Sequence, residues 1–81
     1  MRVTVKLFAI LRERANTSEL QLDLPDRATV ADAQQTIVQK LPQITPLLNR
    51  VAFAVNRSYV KTETELSDGD ELALIPPVSG G

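Results

Sequence analysis

Few side chains of this 81-residue chain are able to do chemistry, because it contains neither histidine nor cysteine. It therefore has no thiolate nucleophile, no Ser-His-Asp triad and no Cys/His zinc site. The serines have no neighbour in the sequence able to activate them. Asp68 and Asp70 flank Gly69, but their spacing does not match a calcium-binding EF-hand loop. We predict that the chain holds no metal ion and that none of its side chains is catalytic.

The reactive group that remains is the α-carboxylate of the last residue, Gly81. The sequence closes with PPVSGG, and two glycines without Cβ atoms can thread a narrow channel and adopt any backbone conformation. A free carboxylate is a poor electrophile, but activation by a partner with ATP, for example as an acyl-adenylate, opens it to sulfide or an amine. Gly80 and Gly81 are therefore the predicted site of chemistry. The alternative is a frayed end without a role.

Alternating apolar and polar residues predict the strands that position this end. In the first strand Val3, Val5 and Leu7 point to one side and Phe8 to the other. The inward residues of the later strands are Leu20, Leu22 and Leu24, then Val51, Phe53 and Val55, then Leu72 and Leu74. The predicted strands cover residues 2–8, 19–24, 51–55, 58–60 and 71–75.

One main amphipathic helix is predicted between the second and third strands. Thr29 is its N-cap, Asp32 follows three residues later, and Pro42 ends the helix. The apolar stripe has steps of three, four and four residues and consists of Val30, Ala33, Ile37 and Leu41. This spacing places the four side chains on one face of the helix.

Two shorter helical segments and two turns complete the pattern. The stretch AILRERAN predicts a short helix or turn that carries Ile10 and Leu11 inward. A second helical turn is predicted to begin at Thr45-Pro46, with proline at the first helical position. The Asn56-Arg57 pair and the SDGD stretch around Gly69 are predicted turns.

The element order is strand, strand, helix, strand, short strand, strand, and it predicts an α+β fold with a mixed sheet on one main helix. If the first and last strands lie side by side at the sheet centre, as in a β-grasp, they run parallel. We assign residues 1–75 to this domain and residues 76–81 to a flexible, extended tail. Pro76 and Pro77 separate the two because proline cannot donate to a strand ladder.

Charge and composition exclude several partners. The net charge is −1, the nine Lys and Arg residues are scattered, and one tyrosine without tryptophan offers no base-stacking surface, so nucleic acid is not predicted. No apolar run approaches the roughly 18 residues of a membrane span and no signal peptide is visible, which predicts a cytoplasmic protein. An acidic strip is either a solvated loop and turn or a docking patch for a basic partner. It consists of Glu63, Glu65, Asp68, Asp70 and Glu71.

Three stretches together resemble the small-subunit family of molybdopterin synthase. They are LFA at the end of the first strand, LRE after it, and DGDELALIPPVSGG at the end of the chain. The resemblance covers the whole chain in length and element order. It implies a ubiquitin-like β-grasp sulfur carrier that binds no cofactor itself. Ile75 stands where this family often has an aromatic residue.

The resemblance also implies a role for the glycine end. Gly81 is expected to be adenylated with ATP by a ubiquitin-activating-type adenylyltransferase and then sulfurated to a thiocarboxylate. The tail then enters the large synthase subunit, where the sulfur passes to cyclic pyranopterin monophosphate to build molybdopterin. The chain is the non-catalytic sulfur donor of this complex, which the family implies is a heterotetramer. A Gly-Gly carrier for thiamine synthesis, tRNA thiolation or protein conjugation stays an alternative, as does a plain binding domain.

Partner-binding residues are predicted on one sheet face and in the tail. Phe8 lies on the side opposite the core, Ile75 does the same in the last strand, and Tyr59 is expected to join them. We predict that the three form an exposed apolar patch that docks the large subunit. The alternative is that twisted strand ends cover these side chains locally. The tail adds Pro76, Pro77, Val78 and Ser79 to the predicted contact residues.

Overall fold

A computed structural model of the protein describes residues 1–77. The predictions for Val78, Ser79, Gly80 and Gly81 lie outside the described residues. The elements are β1 (Arg2–Leu7), α1 (Ala9–Ala15), β2 (Glu19–Asp23), α2 (Val30–Lys40), a 3₁₀ helix (Pro42–Arg50), β3 (Ala52–Val55), β4 (Ser58–Val60) and β5 (Glu71–Ile75). The predicted order of strands around one main helix is confirmed.

The strands form one mixed sheet in the order β2-β1-β5-β3-β4. β1 and β5 run parallel at its centre, with Val5 beside Leu72 and Leu7 beside Leu74. The other neighbouring pairs are antiparallel. This is the β-grasp arrangement expected from the element order together with the family resemblance. Because side chains alternate between the faces of a sheet, each strand presents one row to α2 and one row to the opposite side.

The core lies between the sheet and α2. Val30, Ala33 and Ile37 of α2 are fully buried, as the predicted apolar stripe requires, whereas the fourth residue of the stripe, Leu41, is the half-buried C-cap of the helix. The buried side chains of the strands on this side are Val3, Val5, Leu7, Leu22, Phe53, Leu72 and Leu74. Each buried aliphatic side chain contributes about 1.5–3 kcal/mol by leaving water. This burial fixes which face of the sheet stays outside the core.

In the strands, three residues predicted to point inward are less buried than expected. Leu20, Val51 and Val55 are half-buried and pack against the margin of the core. Leu20 lies on the edge strand β2, and Val51 and Val55 lie just before β3 and at its end. Fewer neighbouring elements reach these positions than reach the sheet centre.

A complete capping box begins α2. Oγ1 of Thr29 accepts a hydrogen bond from the backbone N–H of Asp32 at 3.2 Å, and Oδ2 of Asp32 accepts one from the N–H of Thr29 at 2.9 Å. The predicted N-cap is confirmed. Asp32 performs here a role that Glu or Gln more often has. The helix ends at Lys40, two residues before Pro42.

The expectation that Ile10 points inward is wrong. Its side chain is 39% exposed, whereas Leu11 and Ala15 are the buried residues of α1. Ala9 has a φ of 51°, so the backbone turns through the left-handed region between β1 and α1. This turn changes the direction in which the next side chain points, and it is invisible in the apolar pattern.

The segment after α2 begins earlier than predicted. It forms a 3₁₀ helix from Pro42 onward, and Pro46 lies inside it rather than at its start. The N–H of Ile44 donates to the carbonyl of Leu41 at 3.1 Å, as expected for a 3₁₀ turn. Ile44 and Leu48 are buried in the core. This burial, rather than a threonine cap at Thr45, explains where the segment starts.

The predicted SDGD turn holds the start of β5 against β1. Gly69 has a φ of 86° and donates its N–H to the carbonyl of Arg2 at 2.8 Å. Oδ1 of Asp68 accepts from the N–H of Arg2 at 2.7 Å, and Oδ2 of Asp70 accepts from Ser67 at 2.8 Å. Two acids of the predicted strip therefore stabilise this turn. A docking role for the strip stays a prediction.

Candidate docking face and tail base

The sheet face opposite α2 carries the predicted docking residues. Lys6 pairs with Ala73, Ala73 with Ala54, and Ala54 with Tyr59, so these residues lie on one line across the sheet. Because alanine is small, the two central positions leave a shallow concavity of about 520 Å³. We call this surface the open face. It is lined by Lys6, Phe8, Ala54, Arg57, Tyr59, Glu71, Ala73 and Ile75.

The structure brings Phe8, Tyr59 and Ile75 together on the open face. Phe8 is 45% exposed and Tyr59 is 72% exposed, while Ile75 is half-buried. Phe8 is the N-cap of α1 and keeps an extended backbone, with φ of −127° and ψ of 155°. Its side chain therefore continues the outward row of β1. The exposure of Phe8 and Tyr59 does not support the alternative that strand ends cover them locally; their role in binding stays a prediction.

A cation on the open face is already paired. Nζ of Lys6 forms an ion pair and hydrogen bond with Oε2 of Glu19, the residue opposite it on β2. The hydrogen bond with Glu19 is the largest influence on the pKa of Lys6 and raises it; desolvation lowers it by less, and the negative charges of Glu19 and Glu71 raise it further. Lys6 therefore stays charged at neutral pH and is not available there as a base or nucleophile.

The β3–β4 hairpin positions Tyr59 and brings a further residue to the open face. Its two turn residues, Asn56 and Arg57, have φ values of 49° and 74°, which is the signature of a type I′ turn. Oδ1 of Asn56 accepts from the N–H of Glu71 at 3.0 Å, and its Nδ2 donates to Oδ1 of Asp70 at 2.9 Å. These bonds fasten the hairpin to β5. The predicted turn is confirmed, but its contribution of Arg57 to the open face was not predicted.

The base of the tail lies beside the open face. β5 ends at Ile75, after which Pro76 is half-buried and Pro77 is exposed. A second concavity of about 220 Å³ surrounds the two prolines, and it is lined by Ile10, Pro46, Leu47, Asn49, Arg50, Pro76 and Pro77. The exposed Ile10 therefore lines this concavity together with the two prolines and is not part of the core. Ile75 belongs to the open face and directly precedes residues 76–81.

A larger hollow of about 720 Å³ lies beside β3, β4 and α2, away from Phe8 and Ile75. Gln34, Asn49, Lys61 and Glu63 are among its lining residues. It brings together no pair of groups suited to catalysis. Within residues 1–77, no three acidic side chains are grouped to hold a metal ion, and no helix is long and apolar enough to cross a membrane.

Residues 5–81 match the model of the ThiS family. The chain belongs to the ThiS family. It is 40% identical over 84 residues to the molybdopterin synthase sulfur carrier subunit of Drosophila yakuba, covering 100% of this chain and 92% of that protein. The subunit of the same name from Chlamydomonas reinhardtii is 37% identical over 83 residues, with both chains fully covered. The family that the sequence motifs predicted is confirmed.

Solved structures of similar proteins share the fold of this ThiS family member. SAMP1 from Haloferax volcanii has a TM-score of 0.92 and 31% identity, and the match covers 100% of both chains. A chain in the protein-protein complex of subunits 1 and 2 of the molybdopterin-converting factor from Helicobacter pylori has a TM-score of 0.74 and 26% identity, again with full coverage of both. The β-grasp architecture is therefore confirmed, and one similar structure contains a second subunit.

Proposed function

We propose that this chain is the sulfur carrier subunit of molybdopterin synthase and acts in the cytoplasm. The observation that carries the proposal is the position of Ile75, which lies on the open face and directly before the tail. A partner that covers the open face is thereby placed to receive PPVSGG. Full-length similarity to molybdopterin synthase sulfur carrier subunits supports the assignment of that partner as the large synthase subunit.

The proposed reaction takes place at Gly81 and uses ATP bound by a ubiquitin-activating-type adenylyltransferase. The α-carboxylate attacks the α-phosphate of ATP, which forms a glycyl adenylate and releases pyrophosphate. Sulfide supplied by a sulfur donor then attacks the acyl carbon, and AMP leaves with the bonding electron pair. The product is a thiocarboxylate. The glycine at position 80 has no side chain to obstruct entry of this end into either partner.

In the next step, in the large subunit, the thiocarboxylate sulfur attacks a carbon of cyclic pyranopterin monophosphate, and an oxygen leaves that carbon with the bonding electron pair as the C–S bond forms. The carrier is then joined to the pterin through a thioester. Water replaces the sulfur at the acyl carbon, which restores the carboxylate for another round. The chain has no histidine or cysteine to assist this transfer, so we assign the catalytic groups to the large subunit. The carrier contributes the open face, through Phe8, Tyr59 and Ile75, and the tail. A heterotetramer of two carriers and two large subunits is part of the proposal.

Intact mass spectrometry tests the proposed chemistry. The full chain is incubated with ATP, the activating enzyme and a sulfide donor. We expect a mass gain equal to the exchange of one oxygen atom for sulfur. The matched control is the chain truncated after Gly80, which keeps residues 1–77 unchanged and should gain nothing. A wild-type chain that keeps its original mass under these conditions would contradict the carrier function.

Protein modification is the second candidate, and the similarity to SAMP1, whose name denotes a small archaeal modifier protein, favours it. In that case the activated Gly81 acyl group is attacked by a lysine amine rather than by sulfide. The two candidates differ in their products. Conjugation predicts isopeptide adducts on lysines of other proteins, whereas sulfur carriage predicts the thiocarboxylate and molybdopterin formation with the large subunit. A carrier for thiamine synthesis or tRNA thiolation would form the thiocarboxylate but would not support molybdopterin formation.

A further inference from the structure

Arg57 occupies a backbone conformation that suits glycine better than arginine. Its φ of 74° places it in the left-handed region, at the second central position of the type I′ turn. Asn-Gly is a favoured pair in such turns because glycine adopts positive φ without steric cost. Asn56 follows this preference at the first position and arginine departs from it at the second. A large side chain held at positive φ is uncommon and costs stability.

The side chain of Arg57 lies where a partner would meet it. It lines the open face together with Tyr59 and Phe8. Among residues 1–77 it forms neither an ion pair nor a side-chain hydrogen bond, although Glu71 lines the same concavity. Lys6, the other cation of the open face, is paired with Glu19. Arg57 is thus the cation of this face whose charge is not matched within the described part of the chain.

We propose that Arg57 is a specificity-determining residue of the open face and that it pairs with an Asp or Glu carboxylate on the large synthase subunit. The inference rests on the proposed function and extends it to the chemistry of the partner surface. That surface carries an acid at the edge of the apolar patch that covers Phe8, Tyr59 and Ile75. A guanidinium donates to a carboxylate through a rigid fork, so the pair restricts orientation as well as adding affinity. Charged groups at an interface rim commonly select the partner in this way.

The chain offers a matched control in Arg27. This residue is also an exposed arginine at positive φ, with a value of 68°. It lies in a turn closed by a hydrogen bond from the N–H of Ala28 to the carbonyl of Pro25 at 3.2 Å, and it does not line the open face. Glycine at position 27 or 57 relieves the same kind of backbone strain. The proposal assigns a binding role to Arg57 alone.

The experiment measures the thermal midpoint of each full-length carrier variant and its affinity for the large subunit by calorimetry. We expect Arg57→Gly and Arg27→Gly each to raise the midpoint by about 2–5 °C. Arg57→Gly should weaken binding about tenfold and Arg57→Glu about a hundredfold. Arg57→Lys should bind more tightly than Arg57→Gly. Arg27→Gly should leave affinity unchanged. The difference between wild type and Arg57→Gly should shrink as NaCl rises from about 0.05 M to about 0.5 M.

Arg57→Gly should raise the thermal midpoint and at the same time weaken binding. A purely structural role for Arg57 would not give this combination. The proposal is overturned if Arg57→Gly binds as tightly as wild type while Phe8→Asp binds weakly, and the proposed function then still stands. It is also overturned if Arg57→Gly lowers the midpoint and affinity together. If Arg57→Gly binds the large subunit normally but is adenylated more slowly, the assignment of Arg57 to the large-subunit interface is overturned. Failure of the wild-type chain to bind the large subunit would instead overturn the proposed function.

Discussion

Phe8 and Ile75 lie at the same level of the sheet, each one residue beyond the parallel pair of Leu7 and Leu74. The two paired leucines are buried in the core, whereas Phe8 and Ile75 line the open face. One β1–β5 register therefore fixes both the centre of the core and the apolar end of the predicted docking surface. Changes at these positions should separate folding from binding.

Phe8→Asp should weaken binding to the large synthase subunit by about tenfold or more, because a charge would replace an aromatic anchor. Phe8 is 45% exposed, so the free energy of unfolding should change by less than about 0.5 kcal/mol. Calorimetric titration and urea unfolding measure the two quantities. Gln35→Asp, on the exposed side of α2, is the control for an added negative charge. Collapse of the unfolding transition in Phe8→Asp would place Phe8 in the core.

Asn56→Ala should lower the free energy of unfolding by about 1–3 kcal/mol, because it removes the bonds to Glu71 and Asp70 and places alanine at positive φ. Asn56→Gly should cost less, since glycine keeps the turn conformation while losing the same bonds. Urea unfolding measures both. Ser58→Ala, at the next exposed position after the turn, is the control. Equal stability of wild type and both Asn56 variants would show that the hairpin is not held to β5 by this side chain.

Thr29→Ala should destabilise the fold by about 1 kcal/mol, because it removes one half of the capping box of α2. Thr45 provides a direct contrast. The sequence pattern predicts a cap there too, but in the structure Thr45 is an exposed residue inside the 3₁₀ helix, which has no side-chain cap. Thr45→Ala should therefore stay within about 0.5 kcal/mol of wild type. Similar losses at the two positions would contradict this distinction.

The Lys6–Glu19 pair should contribute a pH-dependent stability that disappears in alkali. Folding raises the pKa of Lys6 above its ordinary value of 10.5, so the folded state binds the proton more tightly than the unfolded state. The contribution is complete below pH 10.5 and is lost as the pH rises through the folded-state pKa. Urea unfolding across this range should show the stability difference between wild type and Lys6→Met narrowing with pH. A constant difference would show that the proton is not linked to folding.

The sequence pattern predicted the parts of this structure that depend on burial. Val3, Val5 and Leu7 alternate with polar residues because one side of β1 is in the core, and Leu72 and Leu74 do the same in β5. Placing the row that contains Phe8 on the outside follows from the same alternation. Pairing of the first and last strands followed from the element order together with the family resemblance.

The features that the pattern missed depend on local backbone conformation. Ile10 lies outside because Ala9 has a positive φ, and no apolar period records such a turn. Arg57 reaches the open face because the hairpin turn is type I′, and alternation makes no statement about a turn residue. Ala54 and Ala73 leave a concavity only because the register places them side by side. In each case a backbone φ angle or the strand register decides which side chains lie at the surface.

The central position of β5 has a mechanical consequence under the proposed function, in which a partner takes the C-terminal end. β5 is paired along its length with β1 on one side and β3 on the other. A pull on the tail through Pro76 acts along the axis of β5. The hydrogen bonds that join β5 to β1 and to β3 then resist the pull together in shear, rather than breaking one at a time. A partner that takes the tail, as we propose, would therefore pull against two strand ladders at once.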